Sequence, residues 1–580
     1  MTKDDVADAL DEIGVLLELQ GESSFRVNAY ANGARTVRSL ADDLKQLVAE
    51  KRLGDVRGLG SALVEKITTL VETGSLPYLE DLRRQVPAGL VEMRQLQGLG
   101  AKKVKALHDA LGIDTVEKLK AACESGAVGK LKGFGAKTQA NILESIRFRE
   151  QAGQRVRIDL ATGLAEALLA RVRELPGVIR AEACGSVRRR RETSGDIDLL
   201  ASAADAKPAI DAFVAFPEVV RVLGQGPTKA SVLATTRVDG DKVTLQADLR
   251  VVTDALFPFG LHYFTGSKAH NIHMRQKAID RGWLLSEYGL GSEDAPIACK
   301  TEADIFAAFG MEYVPPELRE DTGEVEAAEQ KTLPRLVEYT DIRGVFHNHT
   351  TYSDGGASLE EMALAAKALG WEYFGVGDHS QSLAVARGMP PSVVRKQWDE
   401  IDRVNATLSG VQILKGIESD ILEDGSLDYD DELLAGFDYV VGSVHTHFGL
   451  SEADQTARVC RALANPRLTM LGHSTGRLIL KREGYKIDLE EVLKTAARFG
   501  KMVEINASPY RLDLDWTHAR RAKALGVMVV INPDAHSPGE LAQTRFGVDV
   551  ARRGWLGAKD VFNTRGLADV RAELARRRKG

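Results

Sequence analysis

The sequence predicts a multidomain chain: an α-helical N-terminal region, an α+β middle, and a C-terminal α/β barrel of seven strand–helix units. Three observations support this. The 580 residues exceed what one hydrophobic core usually serves, so about three or four compact units are expected. Short helices broken by glycine fill roughly the first 150 residues, and strands mixed with helices take over from about 155. After Asp341 strand and helix alternate regularly, the pattern of a parallel sheet.

Composition limits the classes. At 44% hydrophobic and 27% charged, the chain is ordinary for a soluble globular protein. No apolar run reaches the ~18 residues of a membrane helix, and the acidic Met1–Leu10 segment is unlike a secretion signal. Cys123, Cys184, Cys299 and Cys460 form no CxxC pair, which argues against a disulfide framework or a cysteine-based zinc site and for a reducing, cytoplasmic setting. The net charge of −7 taken alone opposes nucleic-acid binding, but it averages unlike segments. Residues 51–200 carry 26 basic and 19 acidic side chains against 10 and 28 in 301–450, so a positive surplus lies in the helical region.

Three similar glycine segments mark that region: Val56-Arg-Gly-Leu-Gly60, Leu96-Gln-Gly-Leu-Gly100 and Leu131-Lys-Gly-Phe-Gly135. Each precedes a helical apolar pattern such as Ala62, Val64, Ile67 and Leu70. A G-x-G turn between helices presents N–H groups to an anion, and Lys102, Lys103, Lys105, Lys132 and Lys137 add positive charge beside it. The pattern resembles the helix-hairpin-helix DNA-backbone motif, which implies contacts at Gly58, Gly60, Gly98, Gly100, Lys102, Lys103, Gly133 and Gly135. One copy would equally suit a packing hairpin; three copies with basic flanks favour DNA.

In the middle region Ile197–Ala201, Ser231–Val238 and Val243–Val251 are expected strands, the last two joined by an Asp239-Gly240 turn. Within Cys184-Gly-Ser-Val-Arg-Arg-Arg-Arg-Glu-Thr-Ser-Gly-Asp-Ile-Asp198, the last two aspartates stand two apart on a strand, so both carboxylates project from one face. Adjacent carboxylates repel unless a cation lies between them, and hard oxygen ligands suit Mg²⁺ or Mn²⁺. Asp248 reaches the same place from a neighbouring strand, giving the three aspartates that two-cation phosphoryl transfer uses. The Gly185-Ser186 turn offers N–H and hydroxyl groups to phosphates, with arginines beside it.

These motifs, with Ala247-Asp248-Leu249-Arg250 and Tyr263-Phe-Thr-Gly-Ser267 leading to Asn271 and Met274-Arg275, make residues 1–315 resemble an X-family DNA polymerase similar to DNA polymerase beta. The resemblance implies a lyase-like helix-hairpin-helix domain over 1–90, a fingers-type one over 91–153, and a nucleotidyltransferase palm and thumb over 154–315. It implies Asp196, Asp198 and Asp248 as catalytic metal ligands, Asp248 also assisting the primer 3′-hydroxyl. It sets Gly185, Ser186, Arg189 and Gly195 on the incoming triphosphate. Tyr263 and Phe264 are implied under the sugar, with Gly266 in the same substrate-binding set, and Asn271 and Arg275 on the minor-groove side of the nascent pair. Lys66 takes the position of a lysine that forms a Schiff base with an abasic-site sugar, a role that needs a depressed pKa. Asn28 and Tyr30 suit that pattern, whereas Ser75-Leu-Pro-Tyr78 departs from it where lysines often contact phosphate, a loss for which Arg26 would partly substitute.

The proline-marked, glutamate-rich segment over 316–340 is expected to be a linker to the last domain, 341–580. There seven strands are expected, at Gly344–Phe346, Tyr373–Gly377, Gln412–Ile417, Tyr439–Ser443, Leu468–Leu471, Met502–Ile505 and Val527–Ile531, with helices such as Leu359–Leu369 between them. Eight of the twelve histidines fall between 347 and 536, nearly all at C-terminal strand ends, where βα barrels carry active sites. Mixed imidazole and carboxylate ligands suit Zn²⁺, Mn²⁺ or Fe²⁺. This half resembles a PHP (polymerase and histidinol phosphatase) domain, a distorted (β/α)7 barrel. The resemblance implies His347, His349, Asp354, His379, Glu418, His445, His473, Asp534 and His536 as ligands of up to three metals, with Glu418 bridging two. His447 is expected beside the ligands, and Glu504 and Asn506 in the pocket wall.

The expected function is a DNA repair polymerase that adds dNTPs to 3′ ends in gapped or nicked DNA. Its PHP phosphoesterase would act as a 3′-5′ exonuclease, with abasic-site incision and 3′-phosphate removal as further activities. A monomer without membrane attachment is expected. Two alternatives are a PHP nuclease or phosphatase whose N-terminal half only holds DNA, and a non-enzymatic DNA-end scaffold. The intact aspartates and the full histidine set oppose both.

Overall fold

Apolar residues at helical spacing build a first unit, Met1–Gly153. The computed structural model describes residues 1, 3–38, 40, 44–56, 58–94, 96, 99–152 and 155–579. In this unit helices α1 (Lys3–Gln20), α2 (Ser24–Arg38), α3 (Ser61–Thr73), α4 (Ala101–Leu111) and α5 (Ala136–Ala152) are the main elements. In α3 the residues Leu63, Ile67 and Leu70 fall on one helical face and are buried together. Leu10, Ile67, Met93, Val104, Leu119 and Ile142 belong to one continuous cluster, so the helices on either side of residue 90 share a core. α3 and α4 start directly after Gly60 and Gly100, which are their N-caps. Gly58 and Gly133 sit at φ 99° and 87°, a region that a side chain would strain.

The second unit covers Gln154–Ile479 and Glu483–Gly580. Its middle region is a five-stranded sheet of β1 (Val178–Ala183), β2 (Asp196–Ala203), β3 (Val219–Gln225), β4 (Lys229–Val238) and β5 (Asp241–Val252), in the order β1-β2-β5-β4-β3. The β4–β5 hairpin turns at Asp239 (φ 49°) and Gly240 (φ 87°), the two left-handed positions that a tight two-residue turn demands. β2 and β5 run parallel with Asp198 opposite Asp248. Alternate residues of β5 (Val243, Leu245, Ala247, Leu249, Val251) face a core of their own, leaving the opposite face for polar groups. Helices α6 (Phe257–Thr265) and α7 (Lys268–Ile279) follow; Phe259 and Met274 anchor them to a separate cluster with Phe306 and Val314.

The segment expected as a linker is folded instead. Residues 316–340 contain a helix, Glu324–Glu329, and two 3-10 turns, and Leu318, Val325, Ala328 and Leu336 join the same cluster as Phe306. Its charges are paired rather than solvated: Arg319 donates to Glu302 at 2.5 Å, and Glu324 meets His270 at 2.8 Å and accepts from the N–H groups of Asp321 and Thr322.

The C-terminal part holds the parallel strands β6 (Gly344–Val345), β7 (Tyr373–Gly375), β8 (Gln412–Leu414), β9 (Gly416–Asp420), β10 (Tyr439–Ser443), β11 (Met470–Leu471), β12 (Met502–Asn506) and β13 (Val529–Asn532). The expected third strand is thus divided at Lys415 into β8 and β9. Parallel bridges Asn348–Ala535 and His379–Glu418 connect the two sheets, which closes a distorted seven-unit barrel. Tyr439 explains the break. Its ring fills the barrel interior and its hydroxyl donates to the carbonyls of Phe346 and Val376. A Cβ at Gly375 or Gly416 would come within 2.3 or 2.1 Å of that ring system, so both close approaches require glycine.

Candidate active sites

In the middle region the sheet register sets up a carboxylate cluster. Asp198 is hemmed in by burial and by the carboxylates of Asp196 and Asp248, which push its pKa up to about 6. Burial would raise Asp248 too, but the Lys229 ammonium at 2.5 Å and bonds from Gln246 and Ser231 outweigh it and hold it low. Gly185 opens a short helix, Gly185–Arg188, at φ 58°, and a Cβ there would lie 2.3 Å from Asp198 Oδ2. Asp196 and Asp198 line a cavity of about 630 Å³ together with Gly185, Ser186, Arg189, Tyr263, Phe264, Gly266, Asn271 and Arg275. Ser186 Oγ lies 2.6 Å from Ser194 Oγ, and Asn271 Nδ2 donates to the Tyr263 carbonyl at 2.7 Å. Asn271 Oδ1 is buried with no partner, and the Phe264 ring carries the Arg250 guanidinium at 4.7 Å. Hard oxygens around a repelling centre and a cationic wall suit divalent cations and a phosphate chain.

The second cluster lies at the C-terminal ends of the barrel strands. Ligand atoms converge in four overlapping groups: His349, Asp354, His379 and His536; His347, His349 and Asp534; His347, Glu418 and His473; His379, Glu418 and His445. Glu418 belongs to two of them. His347 Nε2, His349 Nδ1, His379 Nδ1, His473 Nδ1 and Glu418 Oε2 are buried without a well-formed hydrogen bond, the condition expected of groups shaped for an ion. Burial and the neighbouring rings of His536 and His379 push His349 down to about 4. Against the cost of burial, Glu418 and Asp354 hold His379 at about 10, and Asp354 and Asp534 hold His536 at about 9. Outer carboxylates orient the rings: His347 Nδ1 meets Glu504 at 3.1 Å and His445 Nδ1 meets Asp420 at 2.5 Å. Asn506 Nδ2 donates to Asp534 at 3.0 Å.

Comparison with known proteins decides what carries these two sites. A family model for the DNA polymerase beta thumb matches residues 260–320, a helix-hairpin-helix model matches 1–76, a SAM-like helix-hairpin-helix tandem matches 90–147, and the PHP domain model matches 346–508. The DNA polymerase/3′-5′ exonuclease PolX of Bacillus subtilis (strain 168) is 38% identical over 578 residues, 99% of this chain and 100% of its own. The chain belongs to the bacterial X-family DNA polymerases that carry a PHP domain. A probable phosphatase of Thermoanaerobacter sp. (strain X514) is 27% identical over 38% of this chain and 89% of its own. A solved Leishmania infantum polymerase beta aligns over 40% of this chain and 98% of its own at 23% identity, with a TM-score of 0.27.

The structure of this X-family polymerase brings most residues singled out in the sequence to one of the two clusters. Gly195 directly precedes Asp196 of the cavity lining, and Arg155 Nη1, from the same lining, lies 3.5 Å from where its Cβ would be. The nine expected PHP ligands all belong to the four groups, including Asp534 and His536, which lie beyond the stretch matched by the PHP model. His447 does not join them: it is exposed, and its Nε2 lies 3.6 Å from Glu423. Motif reading missed Arg155 and Lys268 on the palm cavity lining, Lys229 on Asp248, and Asp420 and Arg511 beside the PHP cluster. Arg155 and Lys268 carry no motif of their own, whereas Asp420, two after Glu418 on β9, had a period-two signal. In the helical region Lys102, Lys132 and Lys137 are exposed, as are Gly58, Gly60, Gly100, Gly133 and Gly135, while Lys103 is half-buried. Gly98 lies outside the described residues. Lys66 Nζ stands 5.1 Å over the Tyr78 ring and 3.4 Å from the Ala62 carbonyl. Among the described residues no helix is long and apolar enough to cross a membrane.

Proposed function

We propose that this X-family polymerase fills gaps in DNA from dNTPs at the palm cavity and resects 3′ ends at the PHP cluster, as a cytoplasmic monomer in DNA repair. The observation that carries the reading is the pairing of Asp198 with Asp248 across β2 and β5, with Asp198 lining a cavity that Arg155, Arg189, Arg191, Arg275, Tyr263 and Phe264 also line. Asp196, Asp198 and Asp248 would hold Mg²⁺ or Mn²⁺, which when bound neutralises charge at the transferring phosphate. Asp248, kept anionic by Lys229, is suited to hold a cation, and through it would assist the primer 3′-hydroxyl. Gly185, Ser186, Arg189 and Gly195 take the triphosphate. Tyr263, Phe264 and Gly266 form the sugar floor, and Asn271 and Arg275 meet the nascent pair.

In the barrel His347, His349, Asp354, His379, Glu418, His445, His473, Asp534 and His536 would hold up to three Zn²⁺, Mn²⁺ or Fe²⁺ ions, which polarise a water and a phosphoester when bound. Glu418 spans two of the sites, and Glu504 and Asp420 hold the His347 and His445 rings in place. Gly58, Gly60, Gly98, Gly100, Lys102, Lys103, Gly133 and Gly135 contact DNA backbone, and Lys66 is the Schiff-base lysine. The working division is 1–90 lyase-like, 91–153 fingers-type, 154–315 palm and thumb, 316–340 a connecting segment and 341–580 the PHP domain. One crossed experiment tests both sites. Asp196→Ala abolishes extension of a gapped primer and leaves 3′ resection intact, and His347→Ala does the reverse; a variant that spares its own activity refutes that site.

A further inference from the structure

The turn behind the palm's triphosphate wall is gripped from the barrel. The Arg189 carbonyl accepts from Arg553 Nη1 at 2.6 Å, and Arg553, which ends the helix Thr544–Arg553, is 3% exposed. The same guanidinium donates to Glu320 at 3.2 Å from both Nη1 and Nη2, and Glu320 in turn accepts from Arg189 Nε at 3.3 Å. Asp549, one turn earlier on that helix, lies 3.8 Å from Arg190, and Arg477 pairs with Glu192 at 2.6 Å. Arg190 itself has φ 55°, a conformation that a bulky residue seldom adopts without outside support. The Arg189 side chain meanwhile donates to the Thr265 carbonyl, next to Gly266, and Arg189 and Gly266 both line the palm cavity.

We propose that Arg553 is a positioning residue of the polymerase reaction: from the PHP domain it fixes Arg189 and its turn, which makes the barrel part of the nucleotide-binding machinery. The inference rests on the proposed seat of the triphosphate at Ser186 and Arg189. A planar guanidinium can satisfy a carbonyl and a carboxylate at once in fixed directions, which a lysine ammonium on a flexible stem does not reproduce. Without it, the Arg189 carbonyl loses its buried donor and Glu320 the nearest of its three arginines, the others being Arg189 at 3.3 Å and Arg191 at 3.7 Å, so the turn that aims Arg189 loses a restraint.

The test is single-nucleotide incorporation into gapped DNA by the full chain over a range of dNTP concentration, with 3′ resection as the control for folding. Arg553→Gln raises KM for the dNTP about tenfold, the size of effect that one charge-assisted bond supports. Arg553→Lys raises it by less, with kcat and resection little changed in either. Arg189→Ala, run in parallel, raises KM at least as far. If Arg189→Ala raises KM and the Arg553 variants do not, the positioning role is refuted while the nucleotide site stands. If Arg189→Ala leaves KM unchanged, the nucleotide site itself is misplaced and the inference falls with it. Should Arg553→Gln lose resection as well as extension, Arg553→Lys with resection intact decides: an unchanged KM overturns the proposal.

Discussion

Replacing Gly185 by alanine isolates the palm geometry with the smallest possible change. The added methyl would lie 2.3 Å from Asp198 Oδ2, whereas ordinary van der Waals contact begins at 3.4 Å, so the carboxylate or the turn must retreat by about 1.1 Å. The backbone does not relieve this, because φ 58° at this position already costs an L-residue roughly 1–2 kcal/mol. A displacement of about 1 Å in a reacting array can reduce the rate about 100-fold. Primer extension on gapped DNA by Gly185→Ala is therefore expected to fall by about two orders of magnitude in kcat/KM. The melting temperature should drop only slightly, and 3′ resection should match the parent enzyme. Extension within about threefold of the parent would mean that Asp198 does not need its present position, and the metal-ligand assignment built on the Asp198–Asp248 pair would be wrong.

Other outcomes follow from the barrel and the helical region. His379 and His536, with folded pKa values of about 10 and 9, lie above the unfolded value near 6.5. Their protons therefore stabilise the metal-free fold fully below about pH 6.5, and that contribution is lost as pH rises through 9 to 10. Calorimetry of chelator-treated enzyme should show its melting temperature falling over that window, with metal-loaded enzyme resisting the fall; equal slopes would count against a metal site there. Tyr439→Phe strips two buried carbonyls of their donor, and denaturant unfolding should register a loss of about 1–3 kcal/mol. Lys66→Arg should abolish borohydride trapping on abasic-site DNA, and trapping that persists would exclude Lys66 as the nucleophile.

Both candidate sites were legible because their signals are local. Asp196 and Asp198 needed only the period of a strand, and Asp239-Gly240 needed only the preference of a tight turn; β2, β4 and β5 follow from them. The histidines likewise stood at strand ends, where barrel chemistry gathers. The segment over 316–340 misled for the opposite reason. Prolines and glutamates read as solvated chain, yet both charged groups are fully buried: Glu324 is bonded by His270 and by the N–H groups of Asp321 and Thr322, and Arg319 is paired with Glu302. Composition records a charge but not its partner. The division of the third barrel strand was hidden in the same way, since Gln412–Ile417 is continuous in pattern and only the Tyr439 ring, arriving from the next strand, explains it.

Arg553 extends that point to function. Taken alone, Thr544–Arg553 ends with two arginines in its last turn, which any helix favours because cations complement its C-terminal dipole. Nothing in that preference distinguishes Arg552, which pairs with Glu317, from Arg553, which reaches a carbonyl 364 positions away in the triphosphate turn. What distinguishes them is desolvation. Arg553 is 3% exposed and both its Nη groups bond within the protein, to the Arg189 carbonyl and Glu320, so burial turns an ordinary charge into a geometric restraint on those groups. The two halves of the enzyme can be read as separate motifs, but the Arg189 turn does not take its shape from the palm alone. The sensitivity of dNTP KM to Arg553 therefore measures how far the polymerase site depends on the PHP domain.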